Sequence, residues 1–513
     1  MDVNGKGSEI MNQEIKVSIS ELLYYIFFSI LFFAKAIGLY DGQLIFKCCL
    51  VTAFVFVFAK IILTSYSFAQ AAMTAFLVLL GIVIYRNSGE KSALIFLVTM
   101  IGFKNISMER LVKVGLWIWG TGFGLLVVKS LLVPRSDYVM ADDKFGITVL
   151  RRGLGYSHPN VLHVSYAILV VLILLSIKNE KKRQSAYLWA FVGNFIVYLY
   201  SASNTGFMLV LMFLVLNIYF SRRKTYSILE KIMIILVFPA CVIFSLLAPL
   251  LVDPDSKLAS LMNKLLNNRF YASRLYMQEN PLTLFGQRIY ASHTYALDNS
   301  YVTLFIYGGL VLFVLVCAGY LYAIWTSLKK QDSTSLSILL SFVIAGVIEP
   351  FLFNLSFKNI SLLVIAGVLF AGKDKTQLRL LSRWDKELTI KRKPENGKNI
   401  QCKKERIVLL SMAAGLVLAG SYLVFSNAPD RVLVDEKYCF VEGEALQLDE
   451  QKFSDNEQVV FYQCTDATKS IYSFEGMPIR FWMIRNAVSI FYLSLLTGTL
   501  IAGKWPHKRV REG

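Results

Sequence analysis

Of 513 residues, 56% are hydrophobic and only 17% are charged, where a soluble chain carries about a quarter. The apolar residues fall in blocks of about 20, the length that crosses a hydrocarbon core as a helix, which excludes a soluble globule and the short alternating strands of a β-barrel. The net charge of +18 does not imply nucleic acid, because Lys and Arg concentrate in alternate short connections, the positive-inside pattern, where they meet anionic lipid.

The fold class is therefore all-α, a polytopic membrane protein. The length rule puts spans at 20–38, 45–63, 68–85, 92–104, 111–133, 159–177, 186–201, 205–220, 229–251, 299–327, 334–354, 358–372, 407–425 and 484–503, about fourteen in all. Residues 1–20 are polar, and no small-residue cleavage pattern follows the first apolar block, which reads as a retained helix. Under this count Lys178–Arg183, Ser221–Lys224, Lys329-Lys330 and Lys504–Arg511 fall on one side, with 373–406, which holds twelve Lys or Arg against five Asp or Glu. That side and both termini are then cytoplasmic, and the connections 134–158, 252–298 and 426–483 are external.

Three regions follow: a membrane domain at 1–372, a basic cytoplasmic linker at 373–406, and a terminal pair of spans at 407–513. The external loop 426–483 within that pair is an acidic cap, with eleven Asp or Glu against five Lys or Arg. Residues 438–441 and 459–464 in the cap read as short strands. A Cys439–Cys464 disulfide would suit an oxidising exterior, although spacing alone does not give its geometry. Cys48, Cys49, Cys241 and Cys317 lie in apolar blocks and read as buried structural residues.

The longest polar interval in the apolar part of the chain runs from Asn268 to Tyr301. It carries Arg269, Arg274, Arg288, His293 and Asp298. Arginine keeps its charge and grips phosphate oxygens with a forked pair of donors, so three of them beside a bilayer suit a diphosphate. Equally, such arginines can snorkel to anchor a surface helix. Arg269 and Arg274 are five apart and would not share a helix face. His293 and Asp298 are the candidate bases; the alternatives are an ordinary loop histidine and a cap for the helix opening at Asn299. Arg151, Arg152 and His158 precede another span, with Pro159-Asn160 as the opening of its helix, and would add to the wall of the same cavity. His163, one turn further, reads as a satisfied interhelical residue. Residues 201–206, Ser-Ala-Ser-Asn-Thr-Gly, read as a tight external hairpin. No phosphate loop, dinucleotide fingerprint or zinc spacing occurs, so an ATP-driven pump is not expected; no cofactor is expected, and no metal is required where the arginines supply the positive charge.

Four of these pieces, in order, resemble the family of bacterial polysaccharide polymerases and O-antigen ligases over about Tyr24 to Ala371. They are Arg152-Gly-Leu-Gly-Tyr-Ser-His-Pro-Asn160; Ser201 to Gly206, with Asn204 where the family has arginine; Asn268-Arg269 followed by Asn280-Pro281 and Leu284-Phe285-Gly286; and Leu297-Asp298-Asn299-Ser300-Tyr301 with Gly308-Gly309. The resemblance implies a metal-independent inverting glycosyltransferase acting on undecaprenyl-diphosphate-linked oligosaccharides at the outer face of the bacterial cytoplasmic membrane. A flippase and a chain-length regulator are its implied partners. Asp298-Asn299, where the ligase branch has His-Asn, looks more like the polymerase branch, and either Asp298 or His293 is left as the base. Ligase-type transfer to another acceptor is the alternative within the family. A lipid-linked oligosaccharide flippase is the alternative outside it, though it would keep charge at mid-membrane, and the main candidates here, Lys35, Lys60 and Glu349, each lie near a span end.

Overall fold

The computed structural model describes residues 14–132, 137–144, 147–350, 352, 359–369, 384–391, 404–425, 431–435, 448–451, 459–464 and 470–504. The membrane domain begins with β1 (Glu14–Ser18), then α1 (Ile19–Ala36), α2 (Leu44–Leu63), α3 (Phe68–Ser88), α4 (Ser92–Gly102) and α5 (Met108–Leu132). A hairpin of β2 (Val139–Lys144) and β3 (Ile147–Arg152) leads to α6 (Pro159–Ser176), α7 (Glu180–Ser201), α8 (Asn204–Ser221) and α9 (Ile228–Leu246). The loop that follows contains α10 (Ala248–Leu251), α11 (Lys257–Leu265) and α12 (Arg269–Glu279). Then come α13 (Ser300–Thr303), a π-helical turn (Leu304–Gly308), α14 (Gly309–Lys329), α15 (Ser333–Ala345) and α16 (Ser361–Leu369). β4 (Glu387–Lys391) lies in the linker, and the terminal region has α17 (Lys404–Phe425), β5 (Arg431–Asp435), β6 (Leu448–Gln451), β7 (Val459–Cys464), β8 (Ser470–Glu475) and α18 (Met477–Lys504).

The protein is mostly helical, and ten helices among the described residues are long and apolar enough to cross a membrane. A helix lies in every expected span interval. Four of them, α4, α7, α15 and α16, fall short of that length or apolarity.

Two features depart from an all-helical reading. The 134–158 connection contains the β2–β3 hairpin, in register Val139 to Arg152 and Met140 to Arg151. The linker is also not wholly a tether: β4 pairs antiparallel with β1, and Asp385 accepts from the backbone and hydroxyl of Ser20, both at 2.8 Å. In the cap, β7 covers the expected strand at 459–464 within a sheet ordered β5-β8-β7-β6. Residues 438–441 and Cys439 lie outside the described residues. Cys48 is exposed and the other three membrane-domain cysteines half-buried, all unbridged.

The core is aromatic where α1 meets α5 and α6. Phe28 stacks on Phe32, and Phe32 meets Trp119 at a 40° tilt, both with ring centroids 4.6 Å apart. The Trp119 indole donates to the Ser165 carbonyl at 2.8 Å, so a bulky ring is buried with its one donor satisfied. At the far end of α1 the Tyr156 hydroxyl donates to the Ala36 carbonyl. That puts the β2–β3 hairpin about 27 Å from the β1–β4 pair, one 18-residue helix away.

The loop after α9 is moored to the start of α14. Leu310 and Val311 N–H, two of the first amides of α14, donate to the carbonyls of Thr283 and Leu284 at 2.9 and 3.1 Å. A helix start leaves such amides without internal partners, and here the loop supplies them. The Ile306 carbonyl, inside the π turn, accepts from Gln287 N–H.

Candidate functional site

One polar cavity of about 350 Å³ opens at the hairpin end of the bundle. Its wall includes Asp142 and Arg151 from the hairpin, Asn160 from α6, Ser203 to Thr205 at the start of α8, Lys264 from α11 and Arg269 from α12. The first turns of α6, α8 and α12 therefore all reach it. Three lining cations, Arg151, Lys264 and Arg269, face Asp142 in the wall, with Asp298 on Arg269 and Glu349 on Thr205 directly behind it. The side-chain charges therefore balance, and it is the three helix starts, each with roughly half a positive charge, that favour an anion.

Arg151 is buried. Its Nε donates to the Ser201 carbonyl at 2.7 Å, Nη1 to Asp142 at 3.1 Å and Nη2 to Asn160 Oδ1 at 2.8 Å. Burial pulls the guanidinium pKa down and Asp142 pushes it back up, leaving it below its ordinary value. Arg269 is held by Asp298, with Nη2 to carboxylate at 3.0 Å and only 11% of the arginine side chain exposed. Its Nε is buried with no acceptor among the described residues. A buried donor without a partner costs about 1–3 kcal/mol.

The turn between α7 and α8 is built for close approach. His163 is buried, with Nδ1 against Ser201 Oγ at 2.9 Å and Nε2 against Asn194 Oδ1 at 2.7 Å, as expected of an interhelical histidine. A Cβ on Gly206 would fall 2.5 Å from that of His163, so glycine lets α8 reach α6. Thr205 Oγ1 donates to Glu349 at 2.7 Å, and Ser300 Oγ donates to the Glu349 carbonyl. Through these bonds the cavity rim is joined to the start of α13.

Of the residues singled out in the sequence, Arg151 and Arg269 line the cavity and Asp298 reaches it through Arg269. The others lie elsewhere. Arg152 is buried on the opposite face of β3, with Nε on Asp137 at 2.7 Å and Nη2 on the Ser130 carbonyl at 3.0 Å. Arg274 donates to the carbonyls of Pro249 and Val252, at the end of α10. Arg288 is exposed, near Gly89 at the end of α3. His158 caps α6 by accepting from Asn160 N–H at 3.1 Å. His293 stands edge-on to Tyr276, ring centroids 4.6 Å apart, and 3.9 Å from Glu279. Hydrogen bonds from Ser292 hold the Glu279 carboxyl below its usual range, and neither His293 nor Glu279 lines the cavity. Lys264 and Asp142 were not anticipated. Lys264 is on an amphipathic surface helix, and Asp142 acquires meaning only once the hairpin sets it opposite Arg151.

Two expected outcomes separate these roles. Arg152→Ala leaves Asp137 buried without its partner and should cost about 3–5 kcal/mol, read as a lowered unfolding temperature of detergent-purified protein. Arg288→Ala removes only an exposed side chain. Any activity assigned to the cavity should stay within about twofold of wild type, as for surface changes worth under half a kcal/mol.

No protein-family model matches this chain, and no curated protein or solved structure matches it.

Proposed function

We propose that this chain joins undecaprenyl-diphosphate-linked oligosaccharide repeats into a surface polysaccharide at the outer face of the bacterial cytoplasmic membrane, as a metal-independent inverting glycosyltransferase. The observation that carries the reading is the convergence of Arg151, Lys264 and Arg269 on one hollow at three helix starts, with an Arg269 donor unfilled. A diphosphate would add acceptor oxygens beside Lys264 and Arg269, while Arg151 is already held by Ser201, Asp142 and Asn160. In this reading fourteen helices cross the membrane, both termini are cytoplasmic, and the hairpin, the 252–298 loop and the acidic cap face outward.

The growing chain is the donor. Its lipid tail stays in the bilayer while its diphosphate sits beside Arg269 and Lys264. The accepting hydroxyl of a second lipid-linked repeat attacks the anomeric carbon from the face opposite the diphosphate. The new C–O bond forms as the old one breaks, and undecaprenyl diphosphate leaves with the bonding electrons. Negative charge grows on the leaving group, where fixed guanidinium groups stabilise it more in the transition state than before. Asp298, already hydrogen-bonded to Arg269, takes the hydroxyl proton. His293 packs against Tyr276 and Glu279, which favours Asp298 of the two candidate bases.

The direct test mixes purified protein with a lipid-linked repeat, without nucleotide or added metal. A ladder of lengths is expected. Unchanged single repeats, with protein and substrate both intact, would overturn the reading.

A further inference from the structure

The terminal helix touches the cavity's frame at one buried point. Arg485, eight residues into α18, is 1% exposed, and its Nη1 donates to the Leu150 carbonyl at 2.6 Å and, more weakly, to the Leu199 carbonyl at 3.5 Å. Leu150 is the residue before Arg151. Leu199 lies two residues before Ser201, whose carbonyl holds Arg151 Nε. One guanidinium thus ties together the strand that carries the cavity arginine and the helix end that fixes its side chain.

The surroundings reinforce that tie. Trp482 has the guanidinium groups of Arg152 and Arg485 at 4.6 and 5.0 Å from its ring centroid. Tyr200 has Arg485 at 4.8 Å from its own ring and donates through its hydroxyl to Asn486 at 2.7 Å. Arg485 Nε and Nη2 find no acceptor among the described residues. Burying a cation with donors unfilled is costly, and a helix serving only as a membrane anchor would be more stable with an apolar side chain there. The cost is intelligible if the group acts on its neighbours.

We propose that Arg485 is a positioning residue, through which the terminal helix pair sets Arg151 against the ligand of the cavity. The terminal pair is then a working part of the site rather than an appendage. This rests on the cavity being the diphosphate site, so the test includes a readout that needs no ligand.

Hydrogen exchange on the full chain in detergent should show faster exchange in 150–155 and 201–206 for Arg485→Met, with 19–63 unchanged. Arg485→Lys keeps the charge but loses the forked donors, and should give the same pattern at smaller amplitude. Inorganic pyrophosphate should bind Arg485→Met about tenfold more weakly than wild type, the worth of one charge-assisted hydrogen bond, with Arg485→Lys in between. A lowered unfolding temperature with both exchange and pyrophosphate affinity unchanged would mean that Arg485 only stabilises, and would overturn the proposal. If Arg485→Met does not fold, the Arg485→Lys exchange pattern decides, together with the reciprocal effect in wild type. Coupling runs both ways, so pyrophosphate should slow exchange across 482–489, and no slowing would overturn the proposal. Failure of wild type to bind pyrophosphate would instead count against the diphosphate reading, and the ligand-free exchange would still decide the brace.

Discussion

Under the proposed polymerisation, Arg269→Ala is expected to abolish polymer and leave single repeats on their lipid, with the protein still in the membrane. The substitution removes a cavity cation and also strands Asp298, which has Arg269 as its ion-pair partner at 3.0 Å. Loss of one preorganised group facing developing charge costs about 10²–10³ in rate, enough to extinguish chain growth. Arg269→Lys should recover little, because an ammonium cannot hold Asp298 and a phosphate oxygen in the forked geometry of a guanidinium. Composition and length of the surface glycan in a deletion strain carrying each variant would check this. Normal chain length from Arg269→Ala would remove the arginine from the mechanism.

The second large effect is structural. Gly309→Ala should prevent accumulation of folded protein. Gly309 has φ +72°, in the left-handed region, and a Cβ there would sit 2.2 Å from the backbone nitrogen of Gly286 and 2.6 Å from the Leu284 carbonyl oxygen. Backbone strain and overpacking each cost about 1–3 kcal/mol, and neither backbone can yield without breaking the amides of Leu310 and Val311 from the loop. Size-exclusion profiles and unfolding temperature in detergent are the measures. A monodisperse variant with wild-type stability would show that the loop is not moored as described.

How much of this was legible in the sequence depends on the range of the interaction. Helix positions follow from local apolar blocks, because the bilayer imposes one length on every crossing. The pairing of Arg269 with Asp298 lies within one loop and was within reach of inspection. Arg151 and Arg152 are told apart only when the β-branched run Ile147-Thr148-Val149 after Gly146 is taken as a strand. Once the segment is extended, successive side chains take opposite faces, and one arginine meets the cavity while the other meets Asp137. Arg274 shows the same logic on a helix: five residues from Arg269, it cannot share its face, and it caps α10 instead. The contribution of α18 was beyond reach, since Arg485 and Leu150 are 335 residues apart.

The pairing of β1 with β4 has a consequence for how the molecule could be taken apart. It fastens the start of α1 to the chain leaving α16, so the first twelve hydrophobic segments form a loop closed by its own latch. A polypeptide stopped just after Lys391 would retain that latch and every cavity-lining side chain, yet lack the guanidinium behind Leu150. Expressed beside a separate 404–513 fragment, it would allow the two pieces to be titrated against each other as subunit and activator.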